Sequence, residues 1–265
     1  MDFFSSYRQQ AQLLSELIRR DVAAQYKGAG LGALWSLLNP LLMLAVYTFV
    51  FSEIFGSRWS VGGVEAARLD FALNAFCGLT VFSLCSTVLT RAPQLVTAHP
   101  NYVKRVVFPL ALLPLMALGS ALVQTAIAFL LLTAAAGLTG VLGWSALWGP
   151  LIVAPLAFIV IGLAWAFTAV GVFVRDLQQV IGLAMQALMF LSPIFYPVGA
   201  VPAIARFWFT VNPLAWCMDA LRGALLRDQA PDIGICMAWF FVGLIIAASG
   251  SWLFHRLRPA FADVV

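Results

Sequence analysis

Leu191-Ser192-Pro193-Ile194-Phe195-Tyr196-Pro197, continued by Pro202, Phe207-Trp208-Phe209 and Asn212-Pro213, is the stretch that decides how the chain must be read. It is apolar enough for hydrocarbon, but each of its four prolines removes a backbone donor and clashes with the preceding helical turn, so residues 191–227 cannot form one straight helix. An unpaired N–H or C=O in hydrocarbon is costly, and broken backbone at membrane depth survives only against protein or a wet cavity. The expected arrangement is two short helices folded back at one membrane face over residues 197–230. Arg206, Asp219, Arg222 and Arg227 in the same stretch are expected to face a polar vestibule or headgroups, because a buried charge must be paired or wet.

The rest of the chain supports a membrane setting. Hydrophobic residues make up 63% and charged residues 10% of 265, which leaves too little polar surface to disperse a soluble globule. Uncharged runs cover residues 28–52, 71–90, 106–174, 177–205 and 233–255. A span needs roughly 20 apolar residues, so 106–174 must be a hairpin of two, turning through Gly137, Gly140 and Gly143. The expectation is an all-α membrane protein with six spans, at about 30–55, 70–90, 107–135, 146–174, 177–196 and 233–255. These form a single transmembrane domain over 28–265, with the two re-entrant helices between spans five and six.

Residues 1–27 read differently. Phe3, Phe4, Tyr7, Ala11, Leu14, Leu17, Ile18 and Val22 recur at helical spacing, with Arg8, Gln9, Gln12, Ser15, Glu16, Arg19 and Asp21 on the other face. That pattern predicts an amphipathic helix lying in the membrane interface, and it is also the pattern of a helix packed on a partner. It lacks the basic n-region and uniform h-region of a signal peptide.

The net charge of +4 marks orientation rather than nucleic acid. Ten basic residues fall on one side: Arg8, Arg19, Arg20, Lys27, Arg91, Lys104, Arg105, Arg175, Arg256 and Arg258. Five fall on the other: Arg58, Arg68, Arg206, Arg222 and Arg227. The excess places both termini in the cytoplasm. Cys77, Cys85, Cys217 and Cys236 have no C-x-x-C spacing and take no metal or redox role.

At the start of the first span, Arg20-Asp21 is followed by Tyr26-Lys27-Gly28, Leu31-Gly32, Trp35 and Asn39-Pro40. Glycines permit a sharp passage from interfacial helix to span, Trp35 suits the headgroup level and Pro40 bends the helix. In combination these residues resemble the polysaccharide-exporting ABC-2 permeases of the O-antigen and capsule type. Asn101-Tyr102-Val103-Lys104-Arg105-Val106-Val107-Phe108-Pro109 is similar to that family's cytoplasmic loop, and Val174-Arg175-Asp176-Leu177 to its tight charged turn. Ser192-Pro193 through Tyr196-Pro197, then Asn212-Pro213-Leu214, resembles its external gate region.

The resemblance implies a permease moving lipid-linked O-antigen, or a related surface polysaccharide, across a bacterial inner membrane. It would act as two copies of this chain with two copies of a cytoplasmic ATPase. The loop over 91–108 would touch that ATPase, making Gln94, His99, Asn101, Tyr102, Lys104 and Arg105 coupling candidates. Pro193, Pro197, Pro213 and Trp216 are the gate candidates. Trp35, Tyr47, Phe51, Phe190, Phe195 and Tyr196 are substrate-path candidates, because aromatic faces suit sugar rings; aromatics are also common in cores and at membrane interfaces. Alternatives within transport are a capsule or teichoic-acid permease and an ABC-2 exporter of drugs or lipids.

Chemistry of its own is not expected. The only lysines, Lys27 and Lys104, end no phosphate-binding G-x-x-x-x-G-K-[ST] run, so ATP and Mg belong to the partner. No G-x-S-x-G elbow occurs, and His99 and His255 have no evident serine or carboxylate partner. Charged residues deep in the spans are nearly absent, which disfavours an ion-coupled secondary transporter.

Overall fold

Eight helices and three 3-10 segments account for nearly all of the structure, a computed structural model that describes residues 2–25, 64–99, 108–196 and 206–263 and isolated positions between 34 and 49. The helices are α1 (Asp2–Gln25), α2 (Val64–Arg91), α3 (Leu112–Leu138), α4 (Gly149–Gly171), α5 (Leu177–Leu191), α6 (Arg206–Val211), α7 (Pro213–Leu226) and α8 (Ile233–Leu257). No strand occurs among the described residues. Four helical stretches there are long and apolar enough to cross a membrane: Phe71–Gln94, Leu112–Leu138, Trp144–Gly171 and Ile233–Phe261. The chain is a membrane protein with an all-helical body; most of the expected first span lies outside the described residues.

The long apolar run does break into a hairpin, and its turn has a specific cause. Gly140 adopts φ +74°, a conformation open to glycine at no steric cost. This lets Val141 N donate to Ala136 O at 3.0 Å and Gly140 N to Gly137 O at 3.2 Å, the paired bonds that close a helix C-terminus. The 3-10 segment Trp144–Trp148 then leads into α4.

α2 is the central helix. It packs on α3, α7, α4 and α5, and Phe71, Ala75, Cys77 and Val88 are fully enclosed along it. α4 and α8 form the most extensive pairing. A Cβ on Gly243 would meet the Pro155 carbonyl, and one on Gly250 would overlap that of Gly162; each step of seven residues matches on both helices, so they run parallel. Lipid tails are as apolar as leucine, so close backbone approach through small residues is what holds such a pair in a membrane. The outer face of α8 carries exposed Ile233, Phe241, Ile245 and Trp252.

The cysteines are all reduced and buried. Pro155 inside α4 cannot donate to the Leu151 carbonyl, and the Cys236 thiol lies 3.8 Å from that oxygen. Cys217 donates to the next carbonyl, Ile152 O, at 3.6 Å. Neighbouring side chains thus compensate the helix where proline opens it.

α1 lies along α3. Leu17 is buried, Leu14, Ile18 and Val22 are half-buried, and Ile18 fills the space above Gly119. Gln25 accepts a hydrogen bond from Gln124. Asp21, assigned by periodicity to the polar face, instead turns inward to Arg91 at the end of α2, which donates to both carboxylate oxygens at 2.7 and 3.1 Å.

Candidate functional site

α5 stops at Leu191 for a local reason. Ser192 sits before Pro193 and takes the extended conformation, φ −104° and ψ 148°, that proline imposes on its predecessor. At 15 residues α5 rises roughly 22 Å, short of the ~30 Å of hydrocarbon, and non-helical backbone continues through Tyr196 where the sequence led us to expect a span to 196. Ser192, Pro193, Ile194 and Phe195 are all buried. Further along the chain come α6 and α7. α7 begins with Asn212 as N-cap, its Oδ1 accepting from Leu214 N at 3.0 Å, and with Pro213 in the first turn, where its missing N–H costs nothing.

The broken backbone is held by Arg222. This α7 side chain is 1% exposed. Its Nη1 donates to Pro193 O at 2.6 Å, its Nη2 to Ile194 O at 2.8 Å and its Nε to Asn74 O on α2 at 3.0 Å. One guanidinium therefore joins α7, α2 and the break. Gly78 on α2 makes room for it: a Cβ there would lie 2.7 Å from Arg222 Nη2 and 3.2 Å from Ile194 Cα. This corrects the expectation that Arg222 faces a vestibule or headgroups. Its charge is met by two carbonyl dipoles that the break exposes and one from α2, while Asp219 and Arg227 are exposed.

Around the break, Tyr196 is half-buried and donates to Phe190 O at 2.9 Å, with its ring edge-on to Phe209 at 6.1 Å. Phe195 is 6% exposed and belongs to the core, while Phe190 is 69% exposed on α5. Trp216 stands beside Trp239 of α8, ring centroids 6.5 Å apart. Trp35 is exposed on a helical position. Tyr47, Phe51 and Pro197 lie outside the described residues.

The second group of candidates stands at the opposite end of α2. After Arg91 the chain turns through Ala92–Gln94 onto α4, where Thr168 donates to Ala92 O at 2.8 Å and Pro93 fits against Gly171. Just before α3, Trp165 Nε1 donates to Ala111 O at 3.1 Å. Thr168 and Trp165 are three residues apart on one face of α4, so a single helical turn fixes both ends of the loop. Gln94 donates to Gln178 in the first turn of α5, and His99 Nδ1 lies 2.9 Å from Leu95 O. Asn101, Tyr102, Lys104 and Arg105 lie outside the described residues.

Asn74, Gly78, Gln178 and the Asp21–Arg91 pair escaped the sequence reading. The available signal was a lone arginine on an apolar helix following a proline-broken stretch; counting it as a loop charge hid it. Among the described residues no three His, Cys, Asp or Glu side chains gather as a metal site.

The ABC-2 type transporter family matches residues 12–226. An O-antigen export system permease protein RfbA of Klebsiella pneumoniae is 25% identical over 257 residues, 96% of this chain and 95% of that protein. One of the same name from Myxococcus xanthus is 24% identical over 256 residues, with the same coverage. The polysialic acid transport protein KpsM of Escherichia coli is 23% identical over 263 residues, 96% of each chain. With more than half its length matched, including the broken segment and its arginine-bearing helix, the chain belongs to the ABC-2 type transporter family.

Proposed function

We propose that this chain is the membrane-spanning half of an ATP-driven exporter that moves lipid-linked O-antigen from the cytoplasmic to the outer face of a bacterial inner membrane. The observation that carries the reading is end-to-end similarity to proteins named as O-antigen export permeases, covering both the chain and the relatives almost completely. The structure supplies suitable parts: a loop anchored on one turn of α4, a broken apolar segment at the other end of α2, and a short exposed helix, α5, between them. In this reading six spans cross the membrane, both termini are cytoplasmic and α1 rests at the interface. The loop over 91–108 receives the ATPase, residues 197–230 form the outer gate, and Phe190 and Tyr196 line the path of the glycan. Two copies flank one channel, because a single chain of this size makes a poor conduit for a polymer, and two ATPase subunits bind ATP and Mg. Similarity to the polysialic acid transport protein favours a second reading, a capsular polymer as cargo, at lower identity.

The surface glycan of a strain lacking this chain tests the proposal. Loss of O-antigen with the rest of the lipopolysaccharide intact is expected. Loss of a capsule alone selects the second reading, and an unchanged surface with raised drug sensitivity contradicts both.

A further inference from the structure

We infer that Arg222 is a positioning residue that fixes the outer break to α2, so that α7, residues 192–196 and α2 move as one body during transport. The inference rests on reading the break as the exit gate. Its basis is the simultaneous use of three guanidinium nitrogens, one on an α2 carbonyl and two on consecutive carbonyls of the break. The Pro193 and Ile194 oxygens belong to non-helical backbone in an apolar setting, where loss of a partner is costly. Breaking the clamp would expose Pro193 O and Ile194 O together with a buried cation, so the clamp stays closed while larger bodies shift. Only arginine supplies such a planar fork; lysine is a compact point charge that cannot reach all three oxygens in the same directions.

The arrangement also links the two ends of the molecule. Asn74 and Arg91 are 17 residues apart on α2, a rise of roughly 26 Å. At one end stands the clamp, at the other the loop pinned to α4. α5 is joined to the same frame twice, through Gln94 and Gln178 at its start and through the clamped break at its end. A displacement delivered at the loop therefore reaches the exit through α2 without a flexible joint, provided Arg222 holds.

A thiol at the fully buried Ser192 reports on the clamp. In membranes containing the complex with its ATPase, Ser192→Cys is treated with a membrane-impermeant maleimide, the native buried cysteines serving as background. Adding Arg222→Gln is expected to speed labelling about tenfold or more, since several charge-assisted bonds are lost, with Arg222→Lys between the two. Gly78→Ala, which displaces the guanidinium from the α2 side while keeping every donor, covers the case in which Arg222→Gln fails to assemble; it too should speed labelling. Equally slow labelling in the assembled variants would overturn the inference. A merely structural arginine would also leave the polymer exported per ATP unchanged in assembled Arg222→Lys complexes. A fall of about tenfold with ATP hydrolysis retained is expected, and an unchanged ratio overturns the positioning role. Absence of polysaccharide export from the parent complex would contradict the export reading, while the labelling rates would still decide the clamp.

Discussion

At the scale of single residues, the charges in this chain divide by what surrounds them. Arg19 and Arg20 reach Glu16 on the exposed face of α1, where ion pairs contribute little. Asp21 and Arg91 are different: the pair is two-pronged, spans 70 residues of sequence, and leaves the carboxylate side chain only 12% exposed. Burial opposes the ionisation of Asp21, and the neighbouring donors, Arg91 foremost with Ser120 and Gln25, together outweigh it, holding the carboxyl below its usual range. A lowered folded value means that the pair's contribution is complete above the unfolded value near ~3.9 and is lost as pH falls through the folded one. Attachment of α1 should therefore be constant from mildly acidic to neutral pH and loosen only in strong acid, as read by the distance between spin labels placed on α1 and α3. Asp21→Asn should weaken the attachment by about 1–3 kcal/mol. Asp21→Arg should release α1 further, and Asp21→Arg combined with Arg91→Asp should recover part of it. No recovery in the double exchange would show that the pair is incidental.

At the scale of elements, the α4–α8 pair depends on backbone contact. Gly250→Ala places a methyl group on the Gly162 carbonyl, and because backbone cannot yield as a flexible side chain does, the helices must separate at a cost of about 1–3 kcal/mol. Gly182 on α5 meets nothing within 4 Å, so Gly182→Ala should leave the amount of assembled protein unchanged. Comparing the two variants in the same membranes separates packing from a general intolerance of substitution. The sequence made α3, α4 and α8 legible because length and unbroken hydropathy suffice for a span, and it made the turn at Gly140 legible because glycines cluster there. It also located the break, since proline acts on its own neighbours. The occupant of the break was not legible: Arg222 meets Asn74 and Pro193 across 148 and 29 residues, and no local pattern encodes such distances. The same holds for Asp21, which helical periodicity placed on the polar face, and for Arg91, counted as a loop charge; tertiary packing joins them.

At the scale of the whole molecule, a central helix carries the pinned loop at one end and the clamped break at the other, with α4 and α8 as a close-packed parallel pair beside it. In the proposed reading this layout serves a permease driven by an ATPase at the loop, with a movement at the exit as its output. The most direct measurement uses inverted inner-membrane vesicles containing this chain and its ATPase, supplied with lipid-linked O-antigen on the exposed cytoplasmic face. The account predicts that ATP renders the polymer resistant to added glycosidase, and that vesicles lacking this chain show no such protection. Polymer that stays fully accessible with chain, ATPase and ATP all present, or that becomes protected equally well without this chain, would contradict it.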